Sequence, residues 1–132
     1  MRILLLDNYD SFTYNLLQYL KQVVPFGVIE VIRNDQINLE EVAKFDVIVL
    51  SPGPGIPKDA GIMPALIKKY AVEKSILGVC LGHQAIGEAF GGSLTNMEEV
   101  YHGISTPILI TGSITSPIFE SINASFEAGR YH

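Results

Sequence analysis

The one cysteine of the chain, Cys80, lies in Gly78-Val79-Cys80-Leu81-Gly82, between an apolar run and a stretch with helical patterning. Gly-x-Cys-x-Gly at a strand-to-helix junction has a mechanical meaning. A sharp turn pushes the middle side chain outward in a strained conformation, and the flanking glycines give it room. The following helix aims free N–H groups and its positive dipole end at the sulfur, which favours a thiolate nucleophile. The N–H of Leu81 is then placed to help bind an oxyanion on an attacked carbonyl. An isolated cysteine is more often a small core hydrophobe. Glycines on both sides, at the carboxyl end of a parallel strand where open α/β sheets bind ligands, reverse that preference.

A second element is Ser51-Pro52-Gly53-Pro54-Gly55-Ile56-Pro57, directly after a run ending at Leu50. In a doubly wound sheet this loop emerges at the same carboxyl edge as Cys80. Proline has no N–H, so Gly53 and Gly55 must supply any backbone donors. Alone, such a loop reads as a tight turn. Beside Cys80 it becomes a candidate second half of an oxyanion hole.

These groups need a scaffold. Arg2 to Leu6, Val28 to Ile32, Asp46 to Leu50 and Ser75 to Val79 are short apolar runs, nearly continuous rather than alternating. That is the pattern of parallel strands covered on both faces. Between them lie helical patterns. From Ser11 to Val24, apolar residues recur every three or four positions, with Asp10 or Ser11 as expected N-cap and Pro25 and Gly27 as the stop. Asn38 caps a short helix through Leu39, Val42 and Ala43. A third runs from Gly61 to Ala71, with Pro64 tolerable in its first turn, and a fourth begins after Cys80 and ends at Gly91-Gly92. Alternating β and α elements predict a doubly wound α/β fold, a parallel sheet with helices on both faces. After Gly92 the pattern changes. Tyr101 to Ile110 and Phe126 to Tyr131 are strand-like, separated by a turn at Thr111-Gly112-Ser113, and predict an antiparallel extension. With no repeat or linker, residues 1–132 read as one domain.

Composition narrows the function classes. Charged residues make up only 17%, against roughly 25% in an average soluble domain, so part of the exterior is expected to be buried against another chain. The net charge of −5 carries no basic stripe, which argues against nucleic acid as a partner. No apolar stretch approaches the roughly 18 residues of a membrane span. The start at Met1-Arg2 lacks signal-peptide features, and a single cysteine fits a reducing compartment, so the cytoplasm is the expected location.

Taken together, Leu6-Asp7-Asn8-Tyr9-Asp10-Ser11-Phe12-Thr13, Ser51-Pro52-Gly53-Pro54-Gly55 and Gly78-Val79-Cys80-Leu81-Gly82-His83-Gln84-Ala85 resemble the triad-type (class I) glutamine amidotransferases. The likeness is in particular to the glutaminase subunits of anthranilate synthase and aminodeoxychorismate synthase. Gly91-Gly92, His102-Gly103 and Arg130-Tyr131-His132 also fit, in order, from end to end of the chain. The resemblance implies a flavodoxin-like amidotransferase fold and a reaction in which Cys80 attacks the amide of L-glutamine. It releases ammonia and leaves a γ-glutamyl thioester for water to hydrolyse. It places Gly53, Pro54 and Gly55 along the substrate, Gly55 and Leu81 as oxyanion donors, and Gln84 at a glutamine-binding position. The implied partner is a chorismate-using synthase subunit (component I). No cofactor or metal is implied.

A thiol nucleophile also needs a base and a group to orient it. In the family these come from a His-Pro-Glu segment near the C-terminus, which the 132 residues do not contain, nor do they contain the Ser-Leu that follows Arg-Tyr-His. His83, His102 and His132 are each better explained by structural roles. The chain therefore reads as a C-terminally incomplete part of a longer fold, with an exposed strand edge and little or no glutaminase turnover by itself. Two further readings compete: a catalytically silent domain that docks on a synthase, and another elbow-cysteine enzyme such as a γ-glutamyl peptidase or a stress-response hydrolase. A receiver-like module with Asp7 and Asp10 on Mg²⁺ is disfavoured, because Leu50-Ser51 stands where its phosphate-accepting Asp belongs.

Overall fold

The computed structural model describes residues 1–111 and 117–131. The chain divides into two compact units, Met1–Leu94 and Thr95–His132. The expected turn at Thr111-Gly112-Ser113 falls largely outside the described residues, as does His132.

The first unit is built on four parallel strands: β1 (Arg2–Asp7), β2 (Val28–Arg33), β3 (Val47–Leu50) and β4 (Ser75–Gly78), in the order β2-β1-β3-β4. Their near-continuous apolar sequences follow from burial on both faces. Period-two alternation then splits β1, β2 and β3 between two cores. Ile3, Leu5 and Val49 pack under α1 (Thr13–Val23), against Leu16, Leu17 and Leu20. Leu4, Leu6, Ile48 and Leu50 face the other way, toward α2 (Leu39–Val42), α3 (Met63–Tyr70) and α4 (Leu81–Ala89). Val42, Met63, Leu66 and Leu81 complete that larger core and are almost fully buried. Helices thus cover both faces, as the periodicity requires.

The helix ends show where local chemistry suffices. Asn38 caps α2 with a full capping box: its Oδ1 accepts from Glu41 N–H at 2.9 Å, and Glu41 Oε2 accepts from Asn38 N–H at 3.1 Å. Pro64 sits in the first turn of α3, where its missing N–H costs nothing. The start of α1 differs from expectation. Neither Asp10 nor Ser11 is the N-cap; Phe12 holds that position, without a side-chain cap. Asp10 Oδ1 instead accepts from Phe12 N–H at 2.8 Å, an Asx turn before the helix. Thr13 is drawn inward, its hydroxyl donating to Asp7 Oδ1 at 2.8 Å.

At the sheet edge, Leu77 of β4 is 49% exposed although it lies in register beside the buried Val49. Among the described residues β4 pairs with β3 alone. In the second unit, β5 (Ile104–Leu109) and β6 (Ser125–Arg130) form the antiparallel pair that the sequence predicts, in a two-stranded sheet of its own. Pro107 is accommodated there because a two-stranded ribbon has only edge strands. No helix among the described residues is long and apolar enough to cross a membrane.

Candidate functional site

Strand β4 ends at Gly78 and α4 begins at Leu81, leaving two residues to reverse the chain direction. Cys80 makes the turn at φ 50°, ψ −107°, a region that side-chain-bearing residues rarely adopt. The strain lifts its side chain out of the sheet, and the thiol is exposed. The turn is fixed from both sides. Val79 N–H donates to Leu50 O at 3.0 Å, and Gln84 N–H donates to Cys80 O at 2.9 Å, closing the first turn of α4.

The flanking glycines are needed for contact rather than for torsion. A β-carbon at Gly82 would lie 2.5 Å from Leu50 Cβ and 2.6 Å from Leu50 O, and one at Gly78 would overlap the Gly82 backbone. The helix therefore sits directly on the strand end, and no residue larger than glycine lets it come so close. Leu81, the first residue of α4, has no i−4 carbonyl within the helix for its N–H. Gln84 lies one turn along, half-buried, and His83 beside it is exposed.

The loop after β3 comes to the same edge. Gly53 is wedged between two neighbours: a β-carbon there would lie 2.6 Å from Asn8 Cβ and 2.8 Å from Leu81 Cδ2. Gly53 and Leu81 are thus brought together. Pro54 and Gly55 form the exposed tip of the loop, and Gly55 takes φ 73°, with nothing within 4 Å of where a β-carbon would lie. A left-handed backbone at an open tip is the reason for glycine there.

Behind the loop lies a buried polar cluster whose connections the sequence patterns did not show. Asn8, Asn34 and Ser51 are 3%, 6% and 0% exposed. Asp7 joins it through its carbonyl, which accepts from Asn34 N–H at 3.0 Å, while its Oδ1 accepts from the Thr13 hydroxyl and from Asp10 N–H. A shallow cavity of about 150 Å³ lies elsewhere, lined by Pro57, Lys58, Pro64, Lys68, Ala85, Glu88 and Ala89. Its lining includes neither Cys80 nor the loop glycines Gly53 and Gly55. His102 is in the second unit, its ring edge-on to Tyr131 at 5.3 Å between centroids.

An exposed cysteine at a strained strand–helix turn, beside a glycine loop, is an arrangement that several hydrolase and transferase families share. The comparison with known proteins separates them: the family model for class-I glutamine amidotransferases matches residues 4–132. The chain belongs to this family. Anthranilate synthase component 2 of Thermus thermophilus is 47% identical over 134 residues, covering 100% of this chain and 63% of that protein. The aminodeoxychorismate/anthranilate synthase component 2 of Bacillus subtilis is 43% identical over 132 residues, 98% of this chain and 66% of that one. Among solved structures, a GMP synthase-type protein from Thermoplasma acidophilum superposes with a TM-score of 0.79 at 25% identity, over 100% of this chain and 64% of that one. This amidotransferase chain thus spans about two thirds of the length of these relatives.

Proposed function

We propose that this class-I amidotransferase chain is the glutaminase part of an anthranilate synthase, delivering ammonia from L-glutamine to a chorismate-aminating synthase partner. The observation that carries the reading is the exposed Cys80 at φ 50°, held at the N-terminus of α4 by the direct seating of Gly82 on Leu50. On this reading Cys80 Sγ bonds to the amide carbon of glutamine, and the carbonyl oxygen becomes an oxyanion. The backbone N–H groups of Leu81 and Gly55 receive that charge. The C–N bond then breaks, the nitrogen leaves as ammonia with a transferred proton, and water hydrolyses the thioester to glutamate. Gly53, Pro54 and Gln84 line the substrate's path. The Bacillus relative's double name favours one second reading, in which the same ammonia also serves aminodeoxychorismate synthesis.

Cys80, Leu81 and the glycine loop supply a nucleophile and oxyanion donors, but no base. His83 is exposed on the helix after the nucleophile, and we assign none of the three histidines that role. The chain alone is therefore expected to release little ammonia from glutamine, and robust release would show that expectation wrong. The site itself is tested by labelling. A glutamine-mimicking chloroketone should modify Cys80 selectively, and excess glutamine should protect it. Modification by unrelated acyl compounds with no preference for the glutamine mimic would point to a different elbow-cysteine enzyme. Co-purification with a chorismate-using synthase tests the partner.

A further inference from the structure

The loop from Ser51 to Ile62 bears the glycines of the candidate oxyanion hole, and both of its ends are tied to one pair of asparagines. Asn8 follows β1 and holds the beginning of the loop. Its backbone N–H donates to Ser51 Oγ at 2.9 Å, and its Nδ2 donates to Ser51 O at 2.9 Å and to Met63 Sδ at 3.4 Å. Asn34 follows β2 and holds the end of the loop. Its carbonyl accepts from Ile62 N–H at 3.1 Å, and Gly61, at φ 53°, sits so close that a β-carbon would lie 2.6 Å from Asn34 O. The two asparagines are joined to each other by Asn34 Nδ2 donating to Asn8 Oδ1 at 3.0 Å. Every polar atom of the Asn8 side chain is thus used, and Gly53 rests on its Cβ and carbonyl.

We propose that the Asn8–Asn34 pair is a clamp on the 51–62 loop, and that Asn8 is a positioning residue for the oxyanion-binding backbone at Gly53–Gly55. The proposal rests on the amidotransferase reading for its functional half. Asparagine suits the task because a planar amide offers two donors and an acceptor in fixed directions. A buried amide with all of these engaged specifies one loop position, since any displacement strands a polar group without water. Aspartate has the same shape and lacks both donors; it would set a carboxylate oxygen against Ser51 O.

The test compares Asn8→Asp and Asn34→Ala with the wild-type chain and with Val42→Ala, a core variant remote from the loop that reports destabilisation alone. Amide hydrogen exchange at residue 8, whose N–H donates to Ser51 Oγ, and at Ile62, whose N–H donates to Asn34 O, reads the clamp directly, without any substrate. Exchange at least tenfold faster in both clamp variants than in Val42→Ala supports it; equal exchange in all three overturns it. Alkylation of Cys80 then reads the positioning. The rate with a glutamine-mimicking chloroketone, divided by the rate with iodoacetamide, should fall at least tenfold in Asn8→Asp and stay unchanged in Val42→Ala. An unchanged ratio in Asn8→Asp refutes positioning. A wild-type ratio showing no preference for the mimic refutes the amidotransferase site instead, while the exchange data still decide the clamp.

Discussion

Replacing the same residue type at two places on α4 should have opposite effects. Gly82→Ala puts a β-carbon 2.5 Å from Leu50 Cβ and 2.6 Å from Leu50 O. Nonbonded carbons rest at about 3.5–4.0 Å, so the helix must retreat by about 1 Å. Leu50 is fully buried in a central strand and has nowhere to go. Overpacking of this kind costs about 1–3 kcal/mol, and alanine's better helix propensity returns at most about 1 kcal/mol. The net loss is about 1–2 kcal/mol. With an unfolding entropy of about 2.1 cal/mol/K per residue over the 132 residues, that lowers Tm by about 4–7 °C. Gly87→Ala, five positions on in the same helix, meets nothing within 4 Å. It gains about 0.5–1 kcal/mol from propensity and reduced unfolded-state entropy, raising Tm by about 2–4 °C. Calorimetric or circular-dichroism melts of the two variants decide the matter. The Gly82 variant should also lose the glutamine-mimic preference at Cys80, because the helix that carries the thiol has moved. If Gly82→Ala melts at or above the wild-type temperature, the close seating of α4 on β3 is wrong, and with it the account of how Cys80 is positioned.

Other expectations follow from the same geometry. Asn38→Ala removes the α2 capping box and should cost about 1 kcal/mol, read in urea unfolding, while Asn38→Gly should lose less. Leu66→Ala empties a fully buried position in the larger core and should cost about 2–5 kcal/mol. The Tyr9–Asp35 hydrogen bond of 2.7 Å gives a pH signature. Its proton, donated by the Tyr9 hydroxyl, lowers the Asp35 pKa below 3.8 and raises that of Tyr9 above 10.0. A lowered carboxylate contributes stability above its ordinary pKa and loses it as pH falls through the folded value. A raised phenol contributes below its ordinary pKa and loses it as pH rises through the folded value. The Tm difference between wild type and Tyr9→Phe should therefore be flat between about pH 5 and 9 and shrink on both sides. Both groups are exposed, so the difference should also weaken with salt; a pH-independent gap would contradict the hydrogen bond.

What the sequence alone decided is mostly local. Apolar runs of four to six residues between turn signals read as covered strands, and the spacing of Leu16 and Leu20 puts both on the buried face of α1, whereas Val23 of the same pattern is 74% exposed. Asn38 and Pro64 act within one turn of their own helices, so they were legible without any fold. The cysteine turn was legible for the same reason: its glycines lie within two residues of Cys80, although Leu50, on which Gly82 sits, does not. Local rules failed at the start of α1. Asp7, six residues before Thr13, competes for the helix's first hydroxyl and draws the entry inward. The clamp was beyond sequence reasoning altogether, because Asn8 bonds residues 26, 43 and 55 positions away. Strand register brings them together. The parallel pairing of Asp7 with Arg33 places Asn8 and Asn34 one step past the ends of neighbouring strands. The pairing of Leu6 with Leu50 sets Ser51 on the other side of β1's end. Only the assembled sheet makes these residues neighbours, and only burial at its edge obliges their polar groups to find one another.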